Sequence, residues 1–411
     1  MKITILTVGS RGDVQPYIAL GLGLQDAGHQ VRLATESGFE SFVRQHGLDF
    51  APLRADFIQL AQSSKGKAAI SGKGSFSLMK EVMPMLRRML DDAWDVSRDA
   101  QTIIYHPKAM AGYHIAEKLN VPAFLAMALP AYSPTQAFAN PALGGADYGN
   151  WLNRLSYSFM LKAAVLPYKG MLDRWRRERL DLPPFKTDLL LRGRPVPKLY
   201  AYSHEVLPSP ADWDAATHVT GYWFLPSPID WLPPPDLQAF LDAGPAPVYV
   251  GFGSMASQDA ERVTQTVLEA ARAAGQRLVL ATGWGGMGAA AASDSVFLLQ
   301  AVPHDWLFPR CAAVVHHGGA GTTGTGLWAG RPTLVCPFFG DQPFWGRRVY
   351  ELGVGPQPIP QKKLATESLA RAISQLANDE TMRRRAQALG ERIRAEDGVA
   401  RAVEVIHQHL S

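Results

Sequence analysis

The segment VVHHGGAGTTGTGLWAG (314–330) has the residue types and spacing of a phosphate-binding loop. It predicts a short buried strand that ends in two histidines, then a glycine-rich turn, then the first turn of a helix. A helix N-terminus has unpaired backbone N–H groups and partial positive charge, and glycines let a phosphate approach the backbone. We expect the phosphate contacts to come from His317, Gly319, Gly321, Thr322 and Thr323, although the two threonines could instead cap the helix.

A second glycine loop lies at the N-terminus. An apolar strand, ITILTV (3–8), leads into GSRGD (9–13) and then into a predicted helix with Pro16 in its first turn, where proline is tolerated. Asp13 is placed to cap a helix that begins at Val14. Two such loops, one in each half of the chain, predict a ligand held between two domains.

The segment FFGDQPF (338–344) follows a further apolar strand. Loops at the carboxyl ends of parallel strands are where open α/β sheets bind ligands. The carboxylate of Asp341 accepts hydroxyl protons, and the amide of Gln342 both donates and accepts. This pair therefore suits a polyhydroxylated ligand; the alternative is an N-cap aspartate beside an exposed glutamine.

The chain has 411 residues, 47% of them hydrophobic, and a formal net charge of +4. This length exceeds a usual single core and predicts two domains. The hydrophobic content is typical of a globular enzyme and argues against disorder. No recognised nucleic-acid-binding motif accompanies the charge, so we expect no nucleic-acid partner.

The cysteines and the N-terminus indicate the compartment. Cys311 and Cys336 lie in or near apolar strands and are expected to be buried free thiols, which fits a reducing environment. No CxxC or His/Cys cluster predicts a metal site. The chain enters its first strand at once, unlike a signal peptide, and no apolar run reaches the ~18 residues of a membrane span. We expect a soluble, cytoplasmic protein.

Basic residues cluster in RWRRER (174–179) and MRRRAQ (382–387). We expect both to be solvated helix faces. The alternative is attraction to an anionic membrane surface, which would give weak peripheral association.

The order of predicted elements indicates an α/β fold. Strands at 31–36, 102–105, 123–128 and 198–203 alternate with helices in the first half, and five more strands follow from Val248 onward. We divide the chain into a first domain (1–207), a proline-rich linker (208–247), a second domain (248–398) and a terminal helix (399–411).

Five segments carry a family resemblance. They are GSRGDVQPYIALGLGL, AGYHIAEKLNVP, VTGYWF, VYVGFGSM and VVHHGGAGTTGTGLWAGRP…PFFGDQPFWGRRVYELGVGP. Together they resemble the sterol glucosyltransferase branch of the UDP-sugar glycosyltransferases, with antibiotic glycosyltransferases as close relatives. The resemblance implies the GT-B fold: two Rossmann-like parallel-sheet domains facing across a cleft, with the last helix crossing back onto the first domain.

The same resemblance implies a chemistry. A hexose, expected to be glucose, passes with inversion from a UDP-sugar to a hydroxyl of an apolar acceptor, with no metal or other cofactor. Asp13 matches the proposed general base, while Asp341 and Gln342 match residues that contact sugar hydroxyls. The diphosphate would be bound by His317 and Thr322, with Ser254 from the second domain and Ser10 and Gly12 from the first.

The sequence departs from the plant-type donor motif at two positions. Ala301 stands where that motif has a stacking tryptophan, and Thr325 where it has a ribose-binding glutamate. Trp284 and the backbone of Val302 are the candidates for holding the nucleobase. The base could be thymine, as in antibiotic relatives.

The acceptor side is predicted from apolar residues. Methionines at 79, 83, 85 and 89 lie on or beside one stripe of a predicted helix, which forms either core or an adaptable apolar pocket. The loop after the strand at 123–128 contributes Pro130 and Tyr132. His114 is a further candidate, with packing inside its helix as the alternative.

Other functions remain open on the residues alone. The first strand, its glycines and Glu36 imitate part of a dinucleotide fingerprint, which would suit an NAD(P)-dependent oxidoreductase. A nucleotide-sugar epimerase, an antibiotic, carotenoid or flavonoid glycosyltransferase and a non-catalytic relative are further alternatives.

Overall fold

The fold consists of two parallel-sheet α/β domains. The computed structural model describes residues 1–55, 75–186, 189–228, 230–252, 260–282 and 292–410, and side chains from residue 80 in the helix that begins at Ser75 and from Glu261 in the helix that begins at Ala260. The first sheet has seven strands in the order β3-β2-β1-β4-β5-β8-β9, and the second has five in the order β12-β11-β10-β13-β14. The strands are β1 Lys2–Leu6, β2 Gln30–Glu36, β3 Asp49–Leu53, β4 Thr102–Tyr105, β5 Ala123–Met127, β6 Leu190–Leu191, β7 Arg194–Pro195, β8 Lys198–Tyr200, β9 Thr217–Val219, β10 Val248–Gly251, β11 Leu278–Ala281, β12 Val296–Leu299, β13 Ala313–His316 and β14 Thr333–Val335.

Helices connect and cover the strands of both sheets. β6 and β7 form a separate antiparallel hairpin. The α-helices are α1 Arg11–Asp26, α2 Glu40–Gln45, α3 Ser75–Ser97, α4 Gly112–Leu119, α5 Asn150–Val165, α6 Lys169–Trp175, α7 Pro235–Asp242, α8 Ala260–Ala273, α9 His304–Leu307, α10 Ala320–Trp328, α11 Gln342–Glu351, α12 Thr366–Asn378, α13 Glu380–Arg394 and α14 Gly398–Leu410.

The first helix begins three residues earlier than predicted. Ser10, not Asp13, is the N-cap residue of α1, because Ser10 has an extended backbone and the helical dihedrals start at Arg11. The Asp13 carboxylate accepts the backbone N–H of Ser10 at 2.9 Å, which is the reciprocal half of a capping box. Asp13 therefore stabilises the start of α1 with Oδ2, while Oδ1 stays available for a contact outside the helix, with Lys108.

The predicted linker (208–247) is longer than the segment that connects the domains. β9 extends the first sheet, and Leu237 of α7 is buried against the core of the second domain. The proline-rich composition of 208–247 did not indicate the three-residue strand β9 and the short helix α7. The segment that connects the two domains is therefore 220–234.

The terminal helix α14 packs against the first domain. Its residues Val403 and Ile406 share a buried cluster with Ile3 and Leu24. The chain thus crosses between the domains twice.

The cluster at 174–179 is only partly solvated. Arg176 is buried and pairs with Glu117 at 2.7 Å, because it lies on the inner side of the helical segment that follows α6. The expectation of a fully solvated face is wrong for this residue. Cys311 and Cys336 are free and buried, and none of the helices in the described part of the chain combines the length and apolar character of a membrane crossing.

Candidate functional site

The candidate site lies where the carboxyl ends of the two sheets meet. The loops after β1 and β4 contribute from the first domain, and the loops after β13 and β14 contribute from the second. This is the edge at which open α/β sheets bind ligands.

Asp13 is held by contacts from both of its oxygens. Oδ2 accepts the backbone N–H of Ser10 and lies 3.0 Å from the Ser10 hydroxyl, and Oδ1 lies 2.7 Å from the ammonium nitrogen of Lys108. Burial favours a higher pKa, but the Lys108 charge, His106 and the Ser10 hydrogen bond together hold the pKa of Asp13 below its usual value. The carboxylate is therefore ionised and fixed in direction.

Gly9 makes room for that carboxylate. Its backbone has φ of +130°, and a Cβ at this position would lie 2.5 Å from Oδ2 of Asp13. A side chain here is excluded both by the dihedral angle and by the contact.

His106 supplies a histidine that the N-terminal loop lacks. It follows β4, and its Nδ1 accepts the backbone N–H of Lys108 at 3.1 Å, so its neutral form carries the proton on Nε2. Nε2 lies 3.9 Å from Oδ1 of Asp13. Burial is the main reason that the pKa of His106 is lowered to about 4, which leaves a neutral imidazole beside the carboxylate.

Asp341 faces this cluster from the second domain. Its Oδ2 accepts the indole N–H of Trp345 at 3.1 Å, and although Asp341 is the N-cap residue of α11, its side chain makes no capping hydrogen bond. Burial raises the pKa of Asp341 above its usual value; the Asp13 carboxylate adds to the rise, while Lys108 opposes it. The two carboxylates and Lys108 thus interact across the cleft.

Gln342 is buried, so the alternative of an exposed glutamine is wrong. Its side-chain oxygen accepts the backbone N–H of Phe338 at 2.7 Å and thereby holds the loop after β14. Its amide nitrogen is the part of the side chain left for a ligand.

His317 directly follows the strand β13 and points into the glycine loop. Its Nδ1 is buried without a hydrogen-bond partner among the described residues, and burial lowers its pKa to about 4. A Cβ on Gly319 would lie 2.7 Å from its Nε2, so Gly319 makes space for the imidazole. Gly318 provides the turn itself, with φ of +97°.

The two threonines of α10 have different positions. Thr323 is fully buried, and both its hydroxyl and its backbone N–H donate to the carbonyl of Gly319 at 2.9 Å. We therefore assign Thr323 a structural role and exclude its hydroxyl from the predicted phosphate contacts. Thr322 is half-buried and Gly321 is exposed. A Cβ added to Gly321 would meet no neighbouring atom of the described residues within 4 Å, so this end of the helix is open.

The remaining donor predictions have mixed outcomes. Ser10 and Gly12 are exposed at the start of α1, and the Ser10 hydroxyl contacts Asp13. Val302 is half-buried after β12. Ser254 and Trp284 lie outside the described residues.

Sequence reasoning missed a group that joins the domains. Arg11 of the first domain lies near Asp305 of the second, and its charge also acts on His304. His304 stacks on Phe308 and lies 3.3 Å from the Tyr249 hydroxyl. Arg11, a basic residue within the N-terminal glycine loop, was the sequence feature that could have indicated this group.

The predicted methionine pocket is mostly core. Met89 is fully buried in the main cluster of the first domain, so the prediction that it contacts an acceptor is wrong, and Met85 is buried as well. The inward stripe of α3 runs through Val82, Met85, Leu86 and Met89 because these positions repeat at three and four residues. Met83 is half-buried, and the side chain of Met79 lies outside the described part.

Two further acceptor predictions differ in outcome. His114 is buried between aromatic rings with its Nδ1 2.7 Å from Arg176, so it has no surface for an acceptor and that prediction is wrong. Pro130 is buried, whereas Tyr132 is half-buried beside the first-domain core, and burial raises its pKa to about 12. Tyr132 stays a candidate for the acceptor side.

Among the described residues, no group of three or more histidine, cysteine, aspartate or glutamate side chains is placed to hold a metal ion. The charges that converge on the cleft come from Asp13, Lys108 and Asp341 and from the helix N-terminus of α10.

Two family models match the chain. Residues 3–137 match the glycosyltransferase family 28 N-terminal domain, and residues 265–407 match the erythromycin biosynthesis protein CIII-like C-terminal domain. Both matched segments contain loops of the cleft.

Similar proteins of known name match over the full length of this chain. A sterol 3-beta-glucosyltransferase of Aspergillus clavatus is 41% identical, and the chain covers 30% of its length. Sterol 3-beta-glucosyltransferase UGT80B1 of Arabidopsis thaliana is 39% identical, and the chain covers 68% of its length. The crystal structure of the kitacinnamycin glycosyltransferase is 21% identical with a TM-score of 0.72, covering 99% of this chain and 98% of that one, which shows the shared fold.

Proposed function

This chain belongs to the glycosyltransferase family that includes the sterol 3-beta-glucosyltransferases, and we propose that it transfers glucose from UDP-glucose to the hydroxyl of a sterol. The observation that carries the proposal is the similarity to these enzymes along the whole chain. The chain spans about a third of the fungal relatives and about two thirds of the plant relative.

The donor binds mainly to the second domain. Its diphosphate lies against the N-terminus of α10, where the backbone N–H groups of the first turn, Thr322 and His317 donate hydrogen bonds. The buried, unpartnered Nδ1 of His317 supports this assignment. The sugar hydroxyls contact Asp341 and the amide nitrogen of Gln342.

Asp13 acts as general base toward the acceptor. Its ionised carboxylate takes the hydroxyl proton as the acceptor oxygen attacks the anomeric carbon from the face opposite the diphosphate, so the configuration inverts. Because the pKa of Asp13 is low, proton transfer is late and concerted with bond formation. The transition state has oxocarbenium character, as in glycoside hydrolysis.

The leaving diphosphate is stabilised by the protein alone. The helix dipole of α10, its backbone amides and His317 meet the developing charge, so the proposed reaction uses no metal ion. The enzyme acts in the cytoplasm and makes peripheral contact with a membrane, where sterols reside.

The test is product formation from defined substrates. Purified protein is incubated with UDP-glucose, UDP-galactose or dTDP-glucose and with a sterol, a flavonoid, a carotenoid alcohol or a macrolide, and products are identified by mass spectrometry. The proposal predicts a mass increase of one hexose on the sterol with UDP-glucose. Exclusive glycosylation of a macrolide from dTDP-glucose contradicts it in favour of an antibiotic glycosyltransferase, and conversion of the donor without an acceptor would indicate an epimerase.

A further inference from the structure

The helix α5 has its apolar side turned to solvent. Its exposed residues are large and hydrophobic, with relative exposures between 43% and 73%: Trp151, Leu152, Leu155, Phe159 and, directly after the helix, Leu166. At 100° per residue these five positions fall within a sector of about 100°, and the stripe is about 22 Å long. A single exposed leucine needs no explanation, but a continuous stripe on one helix does.

The opposite side of α5 is polar and buried. Asn153 donates to the carbonyl of Gln136 at 3.0 Å, Ser156 accepts the backbone N–H of Asn140 at 2.8 Å, and Tyr157 lies over the same loop. These hydrogen bonds fix the orientation of the helix. The usual amphipathic arrangement is therefore inverted, and rotation of the helix cannot bury the apolar stripe without breaking them.

The charge of the helix itself is positive. From Asn150 to Val165 the sequence contains Arg154 and Lys162 and no aspartate or glutamate, whereas Lys169, which follows the helix, pairs with Asp173 at 2.5 Å. Lys162 lies within the apolar sector and is exposed, and the Arg154 side chain is 55% exposed although it lies 3.8 Å from Asp212. A basic helix with a tryptophan and a phenylalanine on its apolar side is typical of a helix that lies in a membrane interface.

We propose that the stripe of α5 binds the surface of an anionic lipid membrane. The positive charge is complementary to anionic headgroups, and a convex helix face suits a plane better than a small ligand, which needs a concave pocket. This inference names the surface for the membrane contact in the proposed function and, in that respect, rests on it.

The buried side of α5 packs on a loop that reaches the cleft. The loop under α5 carries Phe138, whose ring lies 5.6 Å from that of Phe344 in α11, and Gly145 packs against the Phe344 backbone. α11 begins directly after Asp341. A membrane bound by α5 therefore lies near the element that carries Asp341 at the cleft, which suits an acceptor that enters from lipid.

The test is sedimentation with vesicles, in the absence of both substrates. The 411-residue protein is mixed with vesicles of phosphatidylcholine and phosphatidylglycerol, or of phosphatidylcholine alone. We expect wild-type protein to sediment with the mixed vesicles, less at high salt, and to stay in solution with phosphatidylcholine alone. Trp151→Glu/Phe159→Glu should lower partitioning by at least about tenfold, and Lys162→Gln by about fivefold.

The matched control is Leu232→Glu/Tyr350→Glu, which places the same charge on two other exposed apolar residues. It should sediment like wild type, and thermal unfolding should show that all variants are folded. The inference is overturned if wild-type protein sediments with neither kind of vesicle, or if the two double variants lose the same fraction of vesicle binding. It is also overturned if the protein forms a concentration-dependent dimer that Trp151→Glu/Phe159→Glu abolishes.

Glucosyl transfer to a cyclodextrin-solubilised sterol is measured separately. Vesicle binding without transfer would contradict the proposed function alone, and transfer without vesicle binding would contradict the membrane surface alone. A raised acceptor KM for the solubilised sterol in Trp151→Glu/Phe159→Glu, without any change in vesicle binding, would overturn the inference in favour of an acceptor site.

Discussion

The ammonium nitrogen of Lys108 lies 2.7 Å from Oδ1 of Asp13, in the loop that follows β4. The proposed base is thus paired with a cation that also acts on Asp341 across the cleft. We infer that Lys108 positions Asp13 and keeps it ionised, and that the acceptor hydroxyl must share or displace this contact.

Replacing Lys108 by methionine should move the acidic limb of the pH profile. Activity falls as pH drops because Asp13 becomes protonated, and the Lys108 charge lowers the pKa of Asp13. Lys108→Met raises that pKa, so the acidic limb of kcat/KM should shift to higher pH. Lys108→Arg keeps the charge and should leave the limb in place; an unmoved limb in Lys108→Met would show that the pair has no role in ionisation.

Asp13→Asn should abolish most turnover without disturbing the fold. Asparagine still offers an oxygen to the Ser10 N–H, so α1 stays capped. Without a base, kcat should fall by roughly 10²–10⁴, while the melting temperature and the donor Kd stay near wild type. A near-native kcat would leave Asp13 a structural residue and make His106 the candidate base.

His317→Ala should weaken donor binding more than acceptor binding. A hydrogen bond to a charged diphosphate contributes on the order of 1.5–3 kcal/mol, or roughly tenfold to a hundredfold in donor Kd, measured by calorimetry with UDP. Thr323→Val is the control, because its buried hydroxyl bonds only within the loop in the described part of the chain; it should cost stability and spare donor affinity. Unchanged UDP affinity in His317→Ala would show that this loop does not bind the diphosphate.

Two methionines of α3 should respond differently to a charge. Met83 is half-buried, so Met83→Glu should fold, raise the acceptor KM and spare donor hydrolysis. Met89 is fully buried in the core, and Met89→Glu should unfold the first domain because an unpaired charge is buried. A folded Met83→Glu with an unchanged KM for a sterol would place the acceptor away from this helix.

The sequence predicted the strands and the glycine loops because their patterns are local. β4 matches its predicted range, and β1, β2 and β13 differ by one or two residues at their ends. The group around Asp13 was not predictable in the same way. Lys108 and His106 are about ninety residues away along the chain, and only the parallel pairing of β1 with β4 brings them to the carboxylate.

The side chains of helices were harder to assign than their positions. The methionines of α3 were compatible with either core or an apolar pocket, because the residue types in a helix do not show which side of it faces the core. α5 was not predicted, since its apolar residues face solvent and its buried residues are polar, the reverse of the pattern that indicates a core-facing helix.

The most direct test of the account is the anomeric configuration of the product. Wild-type protein is incubated with UDP-α-glucose and a sterol, and the purified glucoside is examined by proton NMR. Attack from the face opposite the diphosphate, with Asp13 as base, predicts a β-glucoside as the sole product. An α-glucoside would contradict the single inverting displacement, and the absence of any glucoside would contradict glucosyl transfer itself.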